Sequence, residues 1–168
     1  LKANGQVFVV NPNGIMFTPT SRVDVAGLVA STLDISNEDF LNGNYNFFKT
    51  KENAYIINQG TIQIKNGGYV AILSAAIDNQ GIIQADLGTA VLASGEAITL
   101  ALDDASDISV VISEGVKSEV FGPDSEKITS AIKNSGTIQA NGGKIILTAK
   151  VLNKVFDYAI NNTGIIEA

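Results

Sequence analysis

At 168 residues the chain is long enough for one substantial core and too short for several independent ones. Hydrophobic residues make up 45 % and charged residues 17 %, which argues for an ordered chain, and a net charge of -6 with scattered Lys and Arg argues against nucleic acid as a partner. With no Cys and no His, disulfides, thiolate zinc sites and any triad with a histidine base are excluded.

From the N-terminus, the first signal is two short apolar runs, Val7–Val10 and Ile15–Phe17, flanking Asn11-Pro12-Asn13-Gly14. Asn11 starts a turn through its side chain, Pro12 presets φ, and Gly14 closes it without steric cost. Ser36, with Asp39 three residues on, is a loose capping signal for a short helix. An aromatic strand follows within 41–48. Tyr45, Phe47 and Phe48 there are read as capping the stack or an outer hairpin, with one alternate member facing a core.

The strongest internal signal is self-similarity. YIINQGTIQI (55–64), AIDNQGIIQA (76–85), AIKNSGTIQA (131–140) and AINNTGIIEA (159–168) align without gaps. The first three are followed by GGYVAIL (67–73), LGTAVLA (87–93) and GGKIILT (142–148). Gly60, Gly81, Gly136 and Gly164 mark the phase, at intervals of 21, 55 and 28 residues.

Ile62, Ile83, Ile138 and Ile166 share one position, and Ile64, Ala85, Ala140 and Ala168 share the position two residues on. Period two places each set on one face, while Gln63, Gln84, Gln139 and Glu167 point to water. Such a unit cannot bury its apolar face alone, so equivalent coils must stack. The fold class expected is all-β, a right-handed single-stranded parallel β-helix with three-faced coils of about 20–25 residues and extra-helical strands or hairpins. Asn58, Asn79, Asn134 and Asn162 align two residues before each glycine, where stacked coils would form an amide ladder. Independent Asn turns are the alternative.

The 55-residue interval is too long for one coil. Within 101–130 the pattern is strand, acidic turn, strand, then a break at Pro123, read as either a divergent coil or a hairpin outside the stack. The expected organisation is a single domain over 1–168 with extra-helical insertions at about 36–50 and 101–130.

Asp103, Asp104 and Asp107 are the only concentrated carboxylates, with no basic partner nearby, and a solvated turn is the simpler reading than a catalytic pair. Gly67-Gly68 and Gly142-Gly143 are corner glycines, since no Lys-Ser/Thr pair and helix follow them. The sequon Asn161-Asn162-Thr163 lies within the repeated turn. No cofactor, metal or catalytic residue is expected, and no run is long enough for a membrane span.

ANGQVFVVNPNGIMF (3–17), VDVAGLVASTLDISNEDFLNGNYNF (23–47), INQGTIQIKNGGYVAILSAAIDNQGIIQADLGTAVLASGEAITLAL (57–102) and SGTIQANGGKIILTAK (135–150) resemble the filamentous haemagglutinin N-terminal family. This is the TpsA-type secretion domain of two-partner exoproteins, also called the haemagglutination activity domain. The resemblance implies a β-helix at the front of a long secreted adhesin, haemolysin or haem-acquisition protein of a diderm bacterium. It implies recognition in the periplasm by the POTRA domains of a TpsB-type outer-membrane transporter, with no enzymatic activity. The chain would pass outward unfolded, fold at the surface, and remain secreted or on the cell surface.

The family's Asn-Pro-Asn-Gly-Ile motif maps onto Asn11, Pro12, Asn13, Gly14 and Ile15, the expected recognition element. The usual signal peptide and N-terminal cap do not precede Leu1, so the expectation is a domain without that cap. Two positions depart from the family: Thr18-Pro19 follows Phe17 where glycine is frequent, and Ala26-Gly27 stands where a double glycine is usual. A structural or adhesive β-helix segment without its own transporter, and a carbohydrate-active β-helix, are the competing readings.

Overall fold

The computed structural model describes residues 1–102 and 108–168. In chain order, β1 (Gln6–Val10), β2 (Ile15–Phe17) and β3 (Arg22–Ser31) precede a short helix, α1 (Asn37–Leu41), and β4 (Tyr45–Phe48). Next come β5 (Tyr55–Asn58), β6 (Thr61–Ser74), β7 (Ala76–Asn79), β8 (Ile82–Gln84) and β9 (Thr89–Ser94). The hairpin β10 (Ala97–Leu102) and β11 (Ile108–Glu114) follows. Finally β12 (Ser130–Asn134), β13 (Thr137–Gln139), β14 (Lys144–Ala149), β15 (Tyr158–Asn162) and β16 (Ile165–Glu167) complete the chain.

Parallel pairing winds these strands into a β-helix with three faces. The first face is the ribbon β2-β5-β7-β12-β15. The second joins the starts of β3 and β6 to β8, β13 and β16. The third joins β1, the ends of β3 and β6, β9 and β14. Registers are in phase throughout: Asn58 pairs with Asn79 and Asn79 with Asn134, while Ile62 pairs with Ile83 and Ile83 with Ile138.

The inward rows fill the helix interior. Ile56, Ile77 and Ile132 come from the first face, Ile62, Ile83 and Ile138 from the second, and Val70, Ile72 and Leu92 from the third. β-branched side chains suit such rows, because their restricted rotamers match the pleated surface and stack on like neighbours. Each deeply buried isoleucine contributes about 2 kcal/mol of apolar transfer free energy.

The third face is apolar on both sides. Val29, Tyr69, Ala71, Leu73, Val91 and Ala93 point outward yet are buried. They lie beneath an antiparallel sheet, β11-β10-β4, whose Phe47, Ile98, Leu100 and Ile108 close a second core. The strands β10 and β11 therefore pair as a hairpin outside the stack rather than as a divergent coil, and the first of them starts earlier than expected, at Ala97. The physical reason is that Ile98 and Leu100 pair back to Phe47 and Tyr45, which burial of the third face demands. Ser36 caps α1 as its sequence implies, its Oγ accepting from the Asp39 amide at 3.0 Å.

All the long excursions leave the helix at one corner, between the third face and the first. Segments 32–54, 95–129 and 150–157 emerge there, whereas Ala75 alone bridges the same corner between β6 and β7. Asn11-Pro12-Asn13-Gly14 occupies that corner in the first coil.

Candidate functional site

The Asn-Pro-Asn-Gly corner is built mostly from local hydrogen bonds. The Gly14 amide donates to the Asn11 carbonyl at 3.1 Å, and Asn11 Oδ1 accepts the Asn13 amide at 3.1 Å and Asn13 Nδ2 at 3.3 Å. Gly14 has φ +116, a conformation that only glycine adopts without strain. The Asn11 amide ties the turn to the stack by donating to the Ser31 carbonyl at 2.9 Å. Ile15 pairs with Ile56 and packs on the inner core. Asn11 and Gly14 thus have defined work in the fold, and replacing both would loosen the corner, not spare it.

A strap of the first excursion crosses beside this turn. Lys51 Nζ donates to Asn13 Oδ1 at 3.1 Å. The strap is pinned on either side. The Lys49 amide donates to the Glu96 carbonyl at 2.9 Å, and Lys49 Nζ reaches Glu96 Oε1 at 3.2 Å. Asn53 Nδ2 donates to the Ser118 carbonyl and Oγ at 3.0 and 2.9 Å.

Glu96 is buried and also accepts the Lys117 amide at 2.9 Å. Burial alone would raise its pKa. The Lys117 amide, the Lys49 ammonium and the Asn53 amide outweigh that and hold it below the usual carboxylate value. Pro12, Asn13, Asn53 and the half-exposed ring of Phe121 rim an open groove at this corner. Sequence reasoning missed Lys51 and Glu96, because their partners lie 38 and 47 residues away.

The asparagines of the repeat are joined into a ladder. Asn58 Nδ2 donates to Asn79 Oδ1 at 2.8 Å, Asn79 Nδ2 to Asn134 Oδ1 at 2.7 Å, and Asn134 Nδ2 to Asn162 Oδ1 at 2.7 Å. The ends are closed as well: the Gly60 amide donates to Asn58 Oδ1, and Asn162 Nδ2 approaches the Gly164 carbonyl. Asn58, Asn79 and Asn134 are buried. The alternating donor and acceptor of each amide satisfies groups that a dry interior would otherwise leave unpaired.

The phase glycines have a steric origin. A Cβ on Gly81, Gly136 or Gly164 would run into the carbonyl of the glycine one coil before, Gly60, Gly81 and Gly136 respectively. Gly68, Gly88 and Gly143 form a second such stack. Gly67 and Gly142 beside it adopt positive φ as corner residues.

Of the aromatic trio, Phe47 is buried in the second core, Tyr45 is half-buried and Phe48 is exposed. Tyr45 stacks on Phe8 at 5.3 Å, and Phe40 meets Phe8 edge-on at 5.2 Å. Asp103, Asp104 and Asp107 lie outside the described residues. Among the described residues no group of three His, Cys, Asp or Glu side chains is placed to hold a metal ion, and no helix is long and apolar enough to cross a membrane.

The whole of this chain, residues 1–168, matches the family model of the TPS secretion domain. The chain belongs to that family. This TPS secretion domain is similar to a heme/hemopexin-binding protein of Haemophilus influenzae strain Rd, 34 % identical over 161 residues. That match takes in 92 % of this chain and 16 % of the relative. A second Haemophilus influenzae heme/hemopexin-binding protein is 28 % identical over 189 residues, 100 % of this chain and 19 % of the relative. The chain therefore spans less than a fifth of the curated relatives it matches. Among solved structures, the secretion domain of HMW1 from Haemophilus influenzae matches with a TM-score of 0.68 and 32 % identity, over 85 % of this chain and 37 % of that one. The TPS secretion domain described here is thus a β-helix by geometry and a two-partner secretion module by family.

Proposed function

We propose that this domain is the non-enzymatic address of a large two-partner exoprotein, read in the periplasm by the POTRA domains of a TpsB-type outer-membrane transporter. The chain then passes outward unfolded and winds into its β-helix at the surface, leaving the exoprotein secreted or on the cell. The names of the Haemophilus influenzae relatives fit a passenger that acquires haem, and an adhesin is the other passenger this family suggests.

The observation that carries the reading is the place of Asn11–Ile15. The motif forms the corner between the third face and the first in the coil that holds β1 and β2, and Asn13 is exposed there. Its turn is closed by bonds spanning no more than three residues, so it can form before any coil has stacked.

The outward row of the second face lacks the close, in-phase carboxylates that the carbohydrate-active alternative needs. Asp24, Gln63, Gln84, Gln139 and Glu167 follow one another coil by coil. The two acids stand four coil steps apart, about 19 Å at the usual inter-strand spacing. Glycosidase carboxylates sit within about 10 Å of each other.

The test replaces Asn11, Pro12, Asn13 and Gly14 together by alanine in the full-length exoprotein, expressed with its transporter. The expected result is retention in the periplasm and loss from the medium and cell surface. Secretion at the parent level would refute the reading.

A further inference from the structure

Asn-Gly occurs five times in this chain, at Asn4-Gly5, Asn13-Gly14, Asn42-Gly43, Asn66-Gly67 and Asn141-Gly142. The dipeptide is chemically labile, because glycine has no Cβ to keep its nitrogen away from the preceding carboxamide. The glycine nitrogen attacks the asparagine Cγ, the Cγ–Nδ2 bond breaks, and ammonia leaves with the glycine amide proton. Water then opens the cyclic imide at either carbonyl, giving aspartate or isoaspartate. The balance is water taken up and ammonia released, with no change of oxidation state. A glycine amide already bonded to an acceptor, or a carboxamide already held, has to be released before the attack.

At most of these positions the fold holds one group or the other. The Gly14 amide donates to the Asn11 carbonyl at 3.1 Å, and both ends of the Asn13 carboxamide are bonded, to Asn11 Oδ1 and to Lys51 Nζ. The Gly67 amide donates to the Asp86 carbonyl at 3.0 Å and the Gly43 amide to the Phe40 carbonyl at 3.3 Å. Asn4 is held more weakly, by the exposed Lys65 Nζ at 2.9 Å from its Oδ1.

Asn141-Gly142 is open. Both residues are exposed, at the corner that joins β13 on the second face to β14 on the third. Among the described residues, neither the Gly142 amide nor the Asn141 carboxamide has a hydrogen-bond partner. The main chain of Asn141 is fixed all the same. Its amide donates to Asp86 Oδ1 at 3.0 Å, and its carbonyl accepts the Leu87 amide at 2.9 Å.

We propose that Asn141 is a deamidation site of the folded domain, converted to isoaspartate or aspartate by water without an enzyme. The product fits the corner less well than asparagine. Either form places a new carboxylate close to that of Asp86. In isoaspartate the main chain runs through the former side-chain carbon, and the carbonyl that accepts Leu87 becomes the free carboxylate. The added carbon meets no slack, since Gly143 stacks so closely on the Gly88 carbonyl that a Cβ would not fit. Conversion therefore loosens β14 where it joins the stack.

The experiment incubates the folded 168-residue chain in mildly alkaline buffer and follows each Asn-Gly by peptide mapping and mass spectrometry. The same chain unfolded in guanidinium is followed beside it. In the folded chain Asn141 converts about fivefold or more ahead of Asn13, Asn42 and Asn66, the factor set by breaking a hydrogen bond first. Asn4 falls between them, and in guanidinium all the sites converge. Conversion at any other site as fast as at Asn141 in the folded chain would overturn the assignment, as would the same ranking in guanidinium.

Ageing also lowers the Tm of the parent. Asn141→Gln, whose longer side chain closes its ring far more slowly, keeps its starting Tm. Equal losses in the two chains would overturn the role given to this corner.

Discussion

Asn79 is the sharpest place to test what holds the coils in phase. It is fully buried, accepts from Asn58 Nδ2 at 2.8 Å and donates to Asn134 Oδ1 at 2.7 Å. Truncation to alanine removes both bonds and strands a donor above and an acceptor below. Each such buried group costs about 1–3 kcal/mol. Asn58 Nδ2 keeps a long approach to the Ile82 carbonyl at 3.4 Å, which places it at the low end of that range. The sum is about 3 kcal/mol, equivalent to a fall in Tm of about 6–12 °C for a domain of this size.

Asn162 provides the internal comparison. It ends the ladder, is exposed, and has water as an alternative partner, so Asn162→Ala should cost under about 1 kcal/mol. Asn79→Asp should be worse than Asn79→Ala near neutral pH, because a carboxylate cannot donate to Asn134 Oδ1. Circular dichroism during thermal and denaturant unfolding reads all three. Equal losses for Asn79→Ala and Asn162→Ala would refute the argument that the ladder acts as a buried, mutually satisfied network.

Gly81→Ala places a methyl against the Gly60 carbonyl, which the Ile82 amide holds in a 2.9 Å hydrogen bond, so a loss above about 3 kcal/mol or failure to fold is expected. Gly5→Ala, with nothing within 4 Å, should melt like the parent. Glu96→Gln should cost about 2 kcal/mol in denaturant unfolding near neutral pH. Because the folded-state pKa of Glu96 lies below its ordinary value of 4.5, that carboxylate's stabilisation is complete above pH 4.5 and is lost as pH falls through the lower folded value. The parent should therefore lose its advantage over Glu96→Gln in acid. Tyr69→Phe removes a buried hydroxyl that has no partner among the described residues, and should be neutral or stabilising by up to about 1 kcal/mol. Burial pushes the Tyr69 pKa up to about 12, so the unfolded chain releases this proton first. The parent should lose stability from about pH 10 upward through this group, and the variant should lack that component in an alkaline titration.

The repeat was legible because its chemistry is local and periodic. Inward isoleucines, outward glutamines, and the Asn and Gly of each turn all recur at fixed offsets, so aligning four segments places them in the stack. The Asn11–Gly14 turn was legible for the same reason, since its closing bonds span at most three residues. The outer sheet was harder to see. Residues 98–102 alternate like any coil strand, and nothing local tells that Ile98 and Leu100 will pair backwards with Phe47 and Tyr45. The available signal lay on the other partner: YVAILS (69–74) and TAVLAS (89–94) are apolar at consecutive positions, which a strand with one wet side does not need. The polar strap was out of reach, because Lys51 and Asn13 are surface residues brought together only by winding.

Confining every long excursion to one corner makes the domain modular in an evolutionary and practical sense. The second face, both glycine stacks and the amide ladder run uninterrupted past that corner, so chain length can change there without altering the rise between coils. A segment as short as Ala75 and one as long as 95–129 close the same geometric gap. Descendants of one ancestral stack can therefore diverge in surface while keeping a common scaffold. The exposed bend at Asn153 and Lys154 is the natural position at which to graft a foreign epitope for display.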